Sequence, residues 1–102
     1  MMDKLKNSSG IDPAFLEFCQ ALANKNRQRI LFEIFTDKSE HKVGEIAEKS
    51  GLAISTVSEH LTQMKKAGIL SSRRADNVVF YKVNKEGISQ FLRHIETWLS
   101  CC

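Results

Sequence analysis

No apolar run in this 102-residue sequence approaches the ~18 residues that a membrane-spanning helix requires. The opening stretch, MMDKLKNSSG, has no apolar segment of the kind a secretory signal uses. The expectation is a cytoplasmic protein that does not engage a membrane. Cysteine is scarce and odd in number, with Cys19 alone and Cys101 beside Cys102. Neighbours on a trans peptide have Cα atoms ~3.8 Å apart, below the ~4.4 Å at the short end for an unstrained bridge. No disulfide framework follows, and the thiols are expected to be reduced. Also missing are a phosphate-cradling glycine loop, a strand-linked serine elbow, paired histidines and a shielded carboxylate pair. A domain this small with an all-helical head offers little pocket, so an enzyme is not expected. His41 and His60 are each read as lacking a cysteine or carboxylate at ligand spacing on a shared face, and neither is assigned to a metal.

What is present is ordinary in amount, and its order carries the information. With 42% hydrophobic and 26% charged residues, the chain is expected to form one small soluble domain with a modest core and no second domain. Fifteen basic and 12 acidic residues give a formal charge of +3, which permits a polyanionic partner without demanding one. The position of the charges has to decide.

Residues 1–10 are polar and include Asn7-Ser8-Ser9-Gly10, the pattern of a flexible tail, so the domain is expected over 11–102. Asp12-Pro13 is a helix start, a capping aspartate followed by proline at the first helical position, and Phe15, Phe18, Cys19 and Leu22 recur at helical spacing. The segment 24–26 interrupts that helix. A second is expected over 27–35, with Ile30, Leu31, Ile34 and Phe35 as its stripe, followed by a polar loop at 36–40. Val43, Ile46 and Ala47 mark a short third helix ending at Gly51, where positive φ turns the chain sharply. A fourth helix follows. Residues 69–74 and 78–83 then read as strands around the turn Ala75-Asp76-Asn77. Asn84 caps a last helix carrying Ile88, Phe91, Leu92, Ile95, Trp98 and Leu99 on one stripe. No internal repeat or long linker occurs.

This order is that of a winged helix-turn-helix: mainly helical, α1-α2-α3-α4-β1-β2-α5. Ala47 lets the next helix cross closely, Gly51 makes the corner, and Val57, Leu61 and Met64 anchor the fourth helix. Its other side offers Ser55, Thr56, Ser58, Glu59, His60, Thr62 and Gln63, hydrogen-bonding groups near a helix start where backbone N–H groups also favour phosphate. Lys65 and Lys66 lie one turn further on, within reach of phosphate oxygens. Arg73 and Arg74 precede the hairpin turn, Asn77 sits in it and Lys82 follows, so cations flank a loop that could lie along a DNA backbone. Two plainer readings stand beside this. A polar outer face is also what any solvated helix presents, and arginines in exposed strands also discourage edge pairing. The tri-helical core serves protein-binding modules as well, so the alternative function is a winged-helix interaction module without DNA binding. Ile54 either meets a thymine methyl or joins Val57 and Leu61 in the core, and the core is preferred. The last helix carries apolar groups over a wider arc than one small monomer covers, which calls for a partner surface.

The stretches ALANKNRQRILFEIF, VGEIAEKSGLAISTVSEHLTQMKKAGIL and RRADNVVFYKV resemble the ArsR/SmtB, or arsenic-repressor, family of bacterial regulators. The resemblance implies a homodimer joined through the first and last helices, here through Phe15, Leu16, Cys19, Phe91, Leu92, Ile95, Trp98 and Leu99. It further implies a palindromic double-stranded DNA operator and repression until an effector arrives. Departures from the family pattern are informative. Lys42 and Gly44 stand where metal-sensing members carry a Cys-x-Cys box. On the last helix only His94 and Glu96 remain of the spaced zinc-binding set, on different faces. Ala53-Ile54-Ser55 replaces Ser-Gln-Ser, which removes a cap and a base-reading amide, and Asp76-Asn77 replaces the glycine and arginine of the wing tip. No cofactor is required. A thiol-bound effector, arsenite or a redox or persulfide signal at Cys19, Cys101 and Cys102, is the candidate that remains, against the plainer reading of Cys19 as a small core hydrophobe.

Overall fold

A computed structural model describes residues 12–101. The tail expected at 1–10 and the last thiol, Cys102, lie outside the described residues. Helix α1 (Pro13–Leu22) starts as its sequence requires: the Asp12 carboxylate accepts from the Ala14 N–H at 2.9 Å and proline occupies the first helical position. Helix α2 (Lys25–Arg29) begins two residues earlier than its apolar stripe implied. Asn24, in the segment that interrupts α1, is itself the cap, accepting from the Arg27 N–H at 3.0 Å. The helix then widens into a π turn (Ile30–Ile34) and tightens into a 3-10 turn (Phe35–Asp37), ending at Lys38 with φ of 60°.

Strand β1 (His41–Lys42) leads into α3 (Val43–Ser50). Gly51 closes α3 at φ 76°, its N–H donating to the Ala47 carbonyl, and α4 (Ile54–Lys66) leaves from that corner. Gly68 ends α4 at φ 86°, with the Ile69 N–H reaching back to Met64 and the Gly68 N–H to Lys65. Strands β2 (Leu70–Ala75) and β3 (Val78–Val83) form the wing. Ala75 and Val78 are its last pair, and Asp76 and Asn77 both take positive φ, 51° and 66°, as a two-residue turn matching strand twist demands. The sheet is a three-stranded one, in the order β1-β3-β2, with His41 opposite Tyr81. A strand of two residues is too short to show alternation, and it went unseen in the sequence. Helix α5 (Lys85–Ser100) is capped by Asn84, which accepts from the Gly87 N–H at 3.2 Å.

The core lies between α1 and α4 and under the sheet. Phe18, Ile30, Phe35, Ile46, Val57, Leu61, Met64, Ile69 and Leu70 are all buried in it. Helix α5 contributes no buried residue and only leans Ile88 and Phe91 on this cluster. It comes so close at its first turn that a Cβ on Gly87 would collide with the Gly68 carbonyl oxygen. Gly87→Ala must therefore push α5 off the end of α4, and a loss of about 1–3 kcal/mol in urea unfolding is expected. Gly44, in α3, faces open space, so Gly44→Ala is expected to be neutral or to add about 0.5–1 kcal/mol. Equal effects of the two changes would contradict this packing.

Candidate nucleic-acid interface

Helix α4 is divided cleanly. Val57, Leu61 and Met64 are fully buried, while Ser55, Ser58, Glu59, Thr62, Gln63, Lys65 and Lys66 are exposed. Thr56 and His60 are half-buried at the flank. Ala53 offers no capping side chain, so the first-turn N–H groups of α4 keep their donors. The Thr62 hydroxyl donates to the Ser58 carbonyl at 2.8 Å, which occupies its proton within the helix. Lys66 lies 3.9 Å from Glu17 of α1. The structure corrects the preference for Ile54 in the core: its side chain is 61% exposed. Leu52, from the turn before α4, packs against the core there, leaving Ile54 outside.

His60 is tied to its neighbours rather than loose on the surface. Its Nδ1 accepts from the Arg27 Nε–H at 3.1 Å, and Arg27 also donates to the Ala21 carbonyl at 3.3 Å. An accepting Nδ1 leaves the proton on Nε2. Burial, with the Arg27 charge behind it, holds the His60 pKa below its usual value, so the ring is neutral at pH 7 and brings no positive charge to a phosphate.

Arg73 and Arg74 are successive residues of β2 and so point to opposite faces. Arg73 makes a two-pronged pair with Glu40, Nε at 2.6 Å and Nη2 at 2.8 Å, and its guanidinium lies 4.7 Å from the Phe80 ring centre. The Arg73 hydrogen bond lowers the Glu40 pKa, so the pair is charged and matched within the chain. Arg73, expected to meet phosphate, is thus matched by Glu40, and the pair fastens the wing to the loop before β1. Arg74 is exposed, without an ion-pair partner among the described residues. Asn77, at the tip, is also exposed.

A buried histidine sits beneath this fastening, and the sequence reading missed its surroundings. His41 Nδ1 lies 2.6 Å from a Glu45 oxygen and Nε2 lies 2.9 Å from Asp37, with the ring edge-on to Phe35. The three residues come from a 3-10 turn, a strand and a helix, so no single helical face predicted the cluster. Each ring nitrogen is taken by a different carboxylate, and among the described residues no group of three or more histidine, cysteine or acidic side chains is disposed to hold a metal. Burial alone would lower the His41 pKa, but the hydrogen bonds to Asp37 and Glu45 outweigh it and the net shift is upward. Asp37 is held well below the carboxylate range, first by the Ser39 N–H and then by His41. Glu45 is lowered by His41 and then Lys49.

A raised histidine pKa stabilises the fold fully below about 6.5, its unfolded value, and that contribution fades as pH rises through the folded pKa. The lowered carboxylates stabilise above their unfolded values of about 4 and lose this as pH falls. His41→Gln should therefore lower Tm most near pH 5–6, and the gap from the parent protein should narrow at alkaline pH. A gap that stays constant in Tm measured from pH 5 to 9 would contradict the imidazolium.

The second surface belongs to α1 and α5. Phe91 stacks on Phe18 and Phe15 with ring centres 4.0 and 4.8 Å apart, and His94 stacks on Phe15 at 4.3 Å, so these rings join the two helices within the chain. Beyond them Leu16, Leu92, Ile95, Trp98 and Leu99 are exposed, Trp98 by 72%. Half-buried Cys19 lines an open groove of about 690 Å³ with Leu16, Ile95 and Trp98. Cys101 is exposed just past α5. Among the described residues no helix is long and apolar enough to cross a membrane.

Comparison with known proteins agrees with this geometry. Residues 24–72 match the family described as bacterial regulatory protein, arsR family. The nodulation protein NolR of Rhizobium meliloti is 32% identical over 75 residues, covering 74% of this chain and 60% of that protein. The HTH-type transcriptional regulator KmtR of Mycobacterium tuberculosis is 30% identical over 77 residues, covering 76% and 58%. The chain thus spans less than two thirds of the length of these relatives. Among solved structures, a homodimeric winged helix-turn-helix DNA-binding domain from Mycobacterium bovis superposes with a TM-score of 0.66 at 24% identity, over 87% of this chain and 82% of that one. The reduced form of HlyU from Vibrio cholerae superposes with a TM-score of 0.62 at 25% identity over both chains in full.

Proposed function

Because the chain belongs to the arsR family of bacterial regulatory proteins, we propose that it is a homodimeric, sequence-specific DNA-binding regulator of transcription, a repressor released from a palindromic operator by an effector. The observation that carries this reading is the exposed polar side of α4, set opposite three fully buried anchors and starting at a left-handed glycine corner. Two α4 helices enter successive major grooves about 34–36 Å apart. Ser55, Thr56, Ser58, Glu59, His60 and Gln63 read or position, with His60 acting through its Nε2–H. Lys65 and Arg74 take phosphates, and Asn77 brings the wing tip beside the backbone. The uncovered α1 and α5 face pairs with its copy, which removes Trp98 and Leu99 from water. Cys19, on that face, is the thiol through which an effector such as trivalent arsenic or an oxidant acts, with Cys101, just past α5, as a second thiol.

Salt dependence tests this reading against that of a protein-binding module. Neutralising roughly 6–10 phosphates makes DNA affinity fall about 10³- to 10⁵-fold between about 50 and 200 mM salt, whereas an apolar protein interface barely responds. Arg74→Ala should weaken binding and lower the salt slope by about 1. Arg73→Ala should change the slope less, since Glu40 already matches its charge. In the same titration, trivalent arsenic or an oxidant should release DNA from the parent protein and not from Cys19→Ser. A salt-insensitive complex would contradict DNA binding, and equal release from both proteins would remove Cys19 from the account.

A further inference from the structure

Three exposed large apolar side chains lie away from the face of α1 and α5: Phe32 on the π turn, Val78 at the start of β3, and Ile54, which alone of the three lies on α4. Leu16, Leu92, Ile95, Trp98 and Leu99 share the face of α1 and α5, whereas Ile54 opens α4 and is 61% exposed. The cavity shared by α1, α5 and the end of α4 is lined by Ala67 and Gly68 with Phe15, Phe18 and Phe91, at the far end of α4 from Ile54. Ile54 lies twelve residues before Lys66, about 18 Å back along the helix at 1.5 Å per residue. The apolar face on α1 and α5 is therefore not what covers it. Its surroundings are polar: Ser58 lies one turn along the same side, and Ser55 and Glu59 are exposed beside it.

An apolar group projecting from the first turn of a groove-entering helix has one complementary feature on the floor of the major groove. Guanine, cytosine and adenine present hydrogen-bonding atoms there, and thymine alone adds a methyl group, at C5. We infer that Ile54 is a specificity-determining residue that packs against a thymine C5-methyl group in each half-site. The inference rests on the reading of α4 as the helix that enters the groove. Ser55 and Ser58, which flank Ile54, place the helix by hydrogen bonds, and Ile54 rejects a base pair without a methyl at its position.

Deoxyuridine keeps the pairing edge of thymine and lacks only that methyl, so it isolates the contact. The full chain is used to select duplexes from a random-sequence pool, and each thymine of the selected half-site is then exchanged singly for deoxyuridine. One exchange per half-site is expected to weaken binding by the parent protein about three- to tenfold, the effect of removing one methyl from an apolar contact. The same exchange should leave Ile54→Ser unaffected, at an unchanged Tm. Selective binding in which no exchange weakens the parent protein overturns the inference, whether or not the serine variant folds, and leaves the DNA-binding reading standing. A pool from which no sequence is enriched overturns both.

Discussion

Helix α5 is 16 residues long and none of them is buried. Its apolar stripe nevertheless continues past the ring stack of Phe15, Phe18 and Phe91 into Leu92, Ile95, Trp98 and Leu99, side chains worth about 1.5–3 kcal/mol each when removed from water. A core as small as this one has nothing left to lay over them. The organisation of the molecule follows from that shortage, because the same two helices that carry the uncovered face are rigidly tied to the end of α4. Gly87 touches the turn at Gly68, and Lys66 faces Glu17. In the proposed dimer, whatever fixes α5 against its copy also fixes where the two α4 helices stand.

Charge is handled with similar economy. The chain carries 15 lysines and arginines, of which Arg73 is matched by Glu40 and Lys49 by Glu45, and the His41 imidazolium is matched in the same way by Asp37 and Glu45. These pairs sit around the loop before α3 and the root of the wing. The Arg73–Glu40 pair joins the wing to the loop before β1. Arg74, Lys65 and the tip of the wing are left to face outward, and the neutral ring of His60, held by Arg27, adds a directional donor without a charge. In the proposed complex with DNA, base contacts from α4 supply the selectivity and the cations position the protein on the backbone.

The features legible in the sequence were those set within a few residues of each other. Asp12 and Asn84 cap their helices through neighbours two and three residues on, Gly51 turns the corner, and Asp76-Asn77 closes the hairpin, because each is a local backbone requirement. Val57, Leu61 and Met64 announced the buried side of α4 by spacing alone. What stayed hidden was decided at a distance. Arg73 and Glu40 are 33 residues apart, as are Arg27 and His60, and no periodicity links them. Asp37, His41 and Glu45 have regular spacing, but three different backbone conformations bring them together. Ile54 was misjudged because its neighbour Leu52 already fills the edge of the core. The two-residue β1 was too short to carry a pattern.

The central claim, that the α1 and α5 face closes on a second copy and that DNA binding depends on it, is tested most directly by the mass of the chain in solution. Sedimentation at micromolar concentration should give twice the 11.6 kDa of one chain, and Trp98→Glu should give a single, folded chain that no longer binds the duplex bound by the parent protein. A parent protein that sediments as one chain, or a monomeric Trp98→Glu that binds that duplex with undiminished affinity, would contradict it.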